Sequence, residues 1–229
     1  MEFRPGAALL HNLSLMASAD PKRKRARLIS RRLARLYPDA HCALHHQTPL
    51  QLLIATILSA QCTDARVNLV TPALFARYPD ARAFAEADPS ELESFIQSTG
   101  FFRNKARNII ACCKEIDAKH GGQVPSTLEN LVPLRGIGRK TANVVLGDAF
   151  GVPGITVDTH VGRLSRRIGL TTLEDPVKVE HALMDLLPRK DWTPFSHRMI
   201  FHGRQVCFAR KPNCEECTLN DICPKVGLK

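Results

Sequence analysis

The sequence predicts an all-α protein. Helix-opening signals recur along almost all of its 229 residues, and period-two alternation of β-branched residues is scarce. Apolar residues make up 44% of the chain, enough for one large core or two small ones. The longest near-continuous apolar stretch, residues 49–60, is interrupted by Gln51, Thr56 and Ser59 and is far shorter than the ~20 residues that cross a bilayer. No membrane partner is expected, and no collagen, coiled-coil or low-complexity signature appears.

The elements follow in order. Residues 1–20, with Arg4, Leu9-Leu10 and Ala17-Ser18-Ala19, imitate a signal peptide, but His11 and Asn12 break its apolar centre, and the segment is read as a disordered extension. Asp20-Pro21 then pairs a cap with proline at the first helical position; Leu28, Ile29, Leu33 and Leu36 form one stripe, and Tyr37-Pro38 ends the helix. Thr48-Pro49 opens a second helix whose Leu50, Leu52, Leu53, Ile54, Ile57 and Leu58 surround most of its circumference, which predicts a place in the middle of a domain. Thr63-Asp64 starts a third, and Asp88-Pro89 another that closes at Gly100. A helix over 104–120 carries Ile109, Ile110, Cys113 and Ile116 until Gly121-Gly122 stops it. Ser126-Thr127-Leu128-Glu129 fits a capping box for a helix ending near Leu134, and another is expected over 139–150. Val152-Pro153-Gly154 predicts a domain crossing. Helices then follow Asp158, Asp175 and Thr193, the last running into Cys207, and beyond Phe208 the chain loses its periodicity.

Thirty-two Lys and Arg against 22 Asp and Glu give +10, which points to a polyanionic partner. The distribution is uneven: residues 21–35 hold eight basic side chains and no acidic one, leaving the rest of the chain near balance. Such a run is either the solvated face of a helix or a stripe that tracks phosphates.

Four of the eight cysteines, Cys42, Cys62, Cys112 and Cys113, lie in apolar surroundings and are read as buried thiols without chemistry. The other four form Cys207-x6-Cys214-x2-Cys217-x5-Cys223, in a segment too irregular to bury them by packing. A shared metal is the natural reading. Soft thiolates suit Zn²⁺ or an iron–sulfur cluster, but zinc sites usually use two close pairs, and only the middle two cysteines here are close. The spacing therefore favours a [4Fe–4S] cluster. Arg210 and Lys211 give the first loop a positive tip suited to a phosphate.

Two further motifs carry chemistry. In Leu134-Arg135-Gly136-Ile137-Gly138-Arg139-Lys140, two glycines permit a tight turn and the following helix offers unpaired N–H groups to an anion. A plain helix–helix turn would have the same glycines. Lys140 distinguishes them, because the first turn of a helix disfavours a cation and favours the neutral, nucleophilic amine. Eighteen residues on, Val157-Asp158-Thr159-His160 places Asp158 as an N-cap, where backbone N–H groups would hold a carboxylate suited to face a developing cation. An Asp in that position can also be a cap and nothing more, and His160 is read as structural.

The hairpin with Lys140, the Val-Asp-Thr-His step and the cysteine spacing, in that order, resemble the endonuclease III family of DNA glycosylases. The resemblance runs from about Leu28 to Cys223 and implies a two-domain helix–hairpin–helix fold. One domain would be six helices over residues 42–152; the other would join residues 21–41 to 153–229 and hold the cluster, with DNA in the cleft between them. It further implies Lys140 and Asp158 as catalytic residues, and Gly136, Ile137, Gly138, Arg139 and Lys211 as DNA contacts. Gln61 would fill the gap left by an extruded nucleotide, and Phe101 would wedge into the opposite strand. The expected protein is an intracellular, monomeric base-excision repair enzyme. It would act on oxidised or ring-saturated pyrimidines in double-stranded DNA and on the abasic sites that result. Arg135 departs from the proline the family usually has there. Alternatives are a monofunctional adenine-mismatch glycosylase, a noncatalytic DNA-binding module and an electron carrier; Lys140 argues against the first, and the hairpin and Asp158 against the last.

Overall fold

The computed structural model describes residues 20–228, which form eleven α-helices and two 3₁₀ turns with no β-strand among them. The expected disordered extension, apart from Asp20, lies outside the described residues. The described residues divide into two compact units, His41–Thr156 and a second built from residues 20–40 together with residues 157–228.

Unit His41–Thr156 contains α2 (Pro49–Leu58), α3 (Asp64–Arg77), α4 (Ala81–Ala85), α5 (Pro89–Ile96), α6 (Phe102–His120), α7 (Leu128–Leu131) and α8 (Arg139–Ala149). That is seven helices, one more than the six the resemblance implies. The extra one is α4, five residues held by the Asp80 carboxylate accepting from Ala83 N, too short to show a period. α2 sits at the centre, with Leu52, Leu53, Ile54, Ala55 and Leu58 fully buried and α3, α6 and α8 packed around it. Each such buried leucine contributes about 1.5–3 kcal/mol. Its one buried hydroxyl is satisfied internally, Thr56 Oγ1 donating to Leu52 O at 2.7 Å. Two boundaries differ from expectation. α6 starts at Phe102, two residues early. The cap of α7 is Thr127, accepting from Asn130 N, and the helix stops at Leu131, so the capping box centred on Ser126 does not form.

The second unit contains α1 (Pro21–Leu36), α9 (Thr159–Arg167), α10 (Pro176–Leu186) and α11 (Trp192–Gln205), followed by the cysteine-bearing segment. α1 packs on α10 and α11 through Ala26, Ile29, Ser30 and Leu33. Leu36, expected on that stripe, is exposed, and Tyr37 is buried instead. Two of the eight cations of the basic run are committed inside the unit. Arg25 Nη2 donates to Gly169 O; Arg32 pairs with Asp221 through Nη1 and Nη2 and donates to Thr218 O at 2.8 Å. Lys22, Arg23, Lys24, Arg27, Arg31 and Arg35 are exposed. The run is thus a brace on one side and a solvated, positively charged face on the other.

Candidate active site and cysteine cluster

The hairpin between α7 and α8 is built inward before it presents anything outward. Leu134 and Ile137 are buried, and the N–H groups of Leu134 and Ile137 donate to Leu131 O at 3.1 Å and Leu134 O at 3.0 Å. The Ile137 side chain and N–H are therefore spent inside the turn, and this residue anchors the hairpin from within. Gly136 has φ +79°, and a Cβ there would lie 2.9 Å from Asn108 Cβ on α6, so both conformation and space demand glycine. Gly138 precedes α8 in an extended conformation and supplies no side-chain cap. The first turn of α8 thus keeps its positive dipole end without an internal oxygen from that position, and Lys140 projects from it as an exposed side chain.

Three residues beyond Lys140, Asn143 is buried on α8 and its Nδ2 donates to Ile155 O at 3.2 Å. Gly154 lies against it, with space for a Cβ only 3.1 Å from Asn143 Oδ1. Asn143 therefore fixes the strand of chain that runs on to Asp158, a role with no sequence signal beyond an amide on a helix's inner face.

Asp158 caps α9, its Oδ1 accepting from Val161 N at 2.8 Å, and is half-buried. His160 is packed against Gly203 of α11, where a Cβ would lie 2.7 Å from His160 Nδ1. Burial lowers the pKa of His160, with the nearby Asp158 charge opposing. Arg163 fixes the same corner by donating to Gly203 O at 3.1 Å and Cys207 O at 2.8 Å.

Gln61 and Phe101 share an unusual backbone. Both are non-glycine residues in the left-handed region, at φ +53° and +49°. Phe101 is 64% exposed, a large ring held outward by its own backbone where sequence pattern alone would put it in the core. Lys211 is also left-handed, at φ +48°, and exposed in the loop between Cys207 and Cys214.

All four expected ligands, Cys207, Cys214, Cys217 and Cys223, are free thiols lining one cavity, closed by Ile168, Leu219 and Leu228. Two donors point at sulfur, Arg167 Nη1 at 3.2 Å from Cys207 Sγ and Leu219 N at 3.4 Å from Cys217 Sγ, and His202 Nε2 lies 3.4 Å from the latter sulfur. Burial pushes the Cys217 and Cys223 thiols up, while backbone donors at Leu219 and Lys225 pull the other way. Among the described residues no three His, Cys, Asp or Glu side chains close on a single ion. Four thiols around an apolar-walled cavity, with hydrogen bonds aimed at sulfur, fit a [4Fe–4S] cluster, which takes four thiolates and is tuned by such donors. When bound, the cluster would crosslink the segment through these four residues.

Comparison with known proteins gives matches along most of the chain. Residues 54–189 match the HhH-GPD superfamily base excision DNA repair protein model, and residues 207–223 match the iron–sulfur binding domain of endonuclease III. The chain is 57% identical over 212 residues to endonuclease III of Synechocystis sp., covering 92% of this chain and 97% of the relative. It is 48% identical over 189 residues to the Bacillus subtilis endonuclease III, covering 82% and 86%. A trapped endonuclease III–DNA covalent intermediate superposes with a TM-score of 0.85 at 46% identity, covering 89% of this chain and 96% of that one.

Proposed function

Because the chain belongs to the endonuclease III family of HhH-GPD base-excision DNA repair proteins, we propose that Lys140 and Asp158 carry its chemistry on damaged duplex DNA. The enzyme is a bifunctional DNA glycosylase and abasic-site lyase that holds a [4Fe–4S] cluster. The observation that carries the assignment of roles is the exposed Lys140 amine in the first turn of α8, beside a glycine hairpin that leaves the helix end open to a phosphate.

The target is an oxidised or ring-saturated pyrimidine. Its extrusion costs a few kcal/mol, and less for a poorly stacked base, so part of the selectivity precedes bond breaking. Gln61 occupies the space left behind and Phe101 wedges the facing strand. Gly136, Gly138 and Arg139 hold the backbone through phosphate contacts, which position without reading bases; Ile137 supports them from the core. Lys211 adds a contact from the loop tip. The Lys140 Nζ lone pair attacks the anomeric carbon as the glycosidic bond breaks, and the base departs with the bonding pair and takes up a proton. Positive charge grows on the sugar during this step, and the Asp158 carboxylate, already oriented by Val161 N, stabilises it. The amine loses a proton, and its lone pair then expels the ring oxygen, which takes up a proton as the sugar opens and leaves a protonated Schiff base. That iminium acidifies the adjacent sugar proton, its removal expels the 3′ phosphate by β-elimination, and water then releases Lys140. The DNA is met inside the cell by one copy of the chain.

Borohydride trapping on abasic-site duplex tests the nucleophile: a covalent adduct is expected from the wild type and none from Lys140→Ala. An adduct surviving that substitution would move the role elsewhere. Asp158→Asn is expected to bind DNA normally and to lose about 100-fold or more in base release; near-wild-type release would overturn its role.

A further inference from the structure

Lys105 is 4% exposed, on the inner face of α6. Its ammonium donates to Leu58 O at 2.7 Å and to Thr99 O at 2.8 Å, partners 47 and 6 residues away in sequence. Leu58 is the last residue of α2, so its carbonyl is one of those a helix end leaves without an internal partner, and a cation there also meets the negative end of the dipole. Gln61 follows three residues later. Thr99 closes the 3₁₀ turn two residues before Phe101. The backbone of Lys105 holds the same loop from its other side, its N–H donating to Phe101 O at 3.0 Å. One residue thus ties together the roots of two loops, and each loop presents a non-glycine residue held in the left-handed region, a conformation that persists only where surrounding contacts impose it. Burial also lowers the pKa of the Lys105 amine, the cost of keeping a cation in that place.

We propose that Lys105 is a positioning residue that couples the Gln61 loop to the Phe101 loop, so that the two side chains enter DNA as one rigid double wedge. The proposal rests on the reading above that both residues contact DNA. A neutral, apolar side chain at position 105 would leave two carbonyls unpartnered and let each loop relax by itself. Extrusion would then lose the shared geometry, and a displacement of about 1 Å in a positioned group is enough to cost up to 100-fold.

The test is stopped-flow fluorescence of a duplex carrying a tetrahydrofuran abasic analogue opposite 2-aminopurine, with the full-length, cluster-containing protein. Gln61→Ala and Phe101→Ala are each expected to slow extrusion. Because they act as a unit, the double variant should be little worse than the more damaging single one. Lys105→Met should slow extrusion about tenfold while leaving affinity for undamaged duplex unchanged, and in its background the two losses should multiply. Lys105→Arg, which keeps a cation with several donors, should recover part of the rate. Losses that multiply in the wild-type background overturn the coupling, as does a Lys105→Met protein that extrudes normally. If Lys105→Met does not fold, Lys105→Arg decides: its partial loss of rate should come with a partly multiplicative cycle, and wild-type rate and wild-type cycle in that background overturn the role of Lys105. If Gln61→Ala and Phe101→Ala both extrude like the wild type, the DNA-contact reading itself fails and the coupling falls with it, a result distinct from either of the others.

Discussion

Six of the eight cysteines fall into two settings that share a side chain and nothing else; Cys42 and Cys62, half-buried in irregular chain, belong to neither. Cys112 and Cys113 lie in the interior of α6, fully buried, with their backbone polar groups taken up by the helix; burial pushes the Cys112 thiol up to about 12 and Cys113 higher still. Cys207, Cys214, Cys217 and Cys223 lie in irregular chain around a shared cavity, under donors that favour the thiolate. The comparison teaches that thiol chemistry here is set by what surrounds the sulfur. A helix makes cysteine a small apolar residue, and an irregular chain with N–H groups aimed at sulfur makes it a ligand.

The largest effect should come from breaking the second setting. Cys214→Ser is expected to abolish the visible absorbance of the cluster, to leave the segment after Cys207 open to limited proteolysis and to remove damaged-DNA binding, because metal-binding free energy there is folding free energy. Retained protease resistance in a colourless protein would show that the segment holds itself. An intermediate effect should come from alkaline pH. The folded-state pKa of Cys112 is raised from the ordinary 9.0 to about 12, so the unfolded chain ionises first. Stability is full below pH 9 and falls as pH rises toward 12, by about 1.4 kcal/mol per unit for one such thiol. Denaturant midpoints measured across that range should show the fall, and Cys112→Ala should remove its share of the slope while Cys113 keeps its own. The smallest effect should come from Cys113→Ala, which removes one buried sulfur and should cost about 1–2 kcal/mol with cluster absorbance unchanged. A bleached spectrum in that variant would mean that the two settings communicate.

What could be read in advance was whatever obeys local rules. The Asp-Pro and Thr-Pro pairs at 20–21, 48–49, 88–89 and 175–176 all cap helices as those residue types require, and the all-round apolar helix is the centre of its unit. Cysteine spacing and the glycine pair before Lys140 were legible for the same reason, since each motif is its own evidence. The helix Ala81–Ala85 was not, being shorter than the window in which periodicity can be seen. Gln61 and Phe101 were mute because nothing in a non-glycine residue announces positive φ. Lys105 was mute because a lysine on an amphipathic helix ordinarily lies outside, and the two carbonyls that draw it in come from distant chain. Asn108 and Asn143 belong with it: each lies against a glycine that only the tertiary structure brings near.

The grip of Arg32 on Thr218 and Asp221 carries a practical lesson for anyone trimming this polypeptide to a minimal version. The front helix looks dispensable, a string of charges ahead of the shared catalytic portion. Cutting behind it would withdraw a prop from the far end of the chain, and the product to expect is a pale protein that sheds its iron during purification.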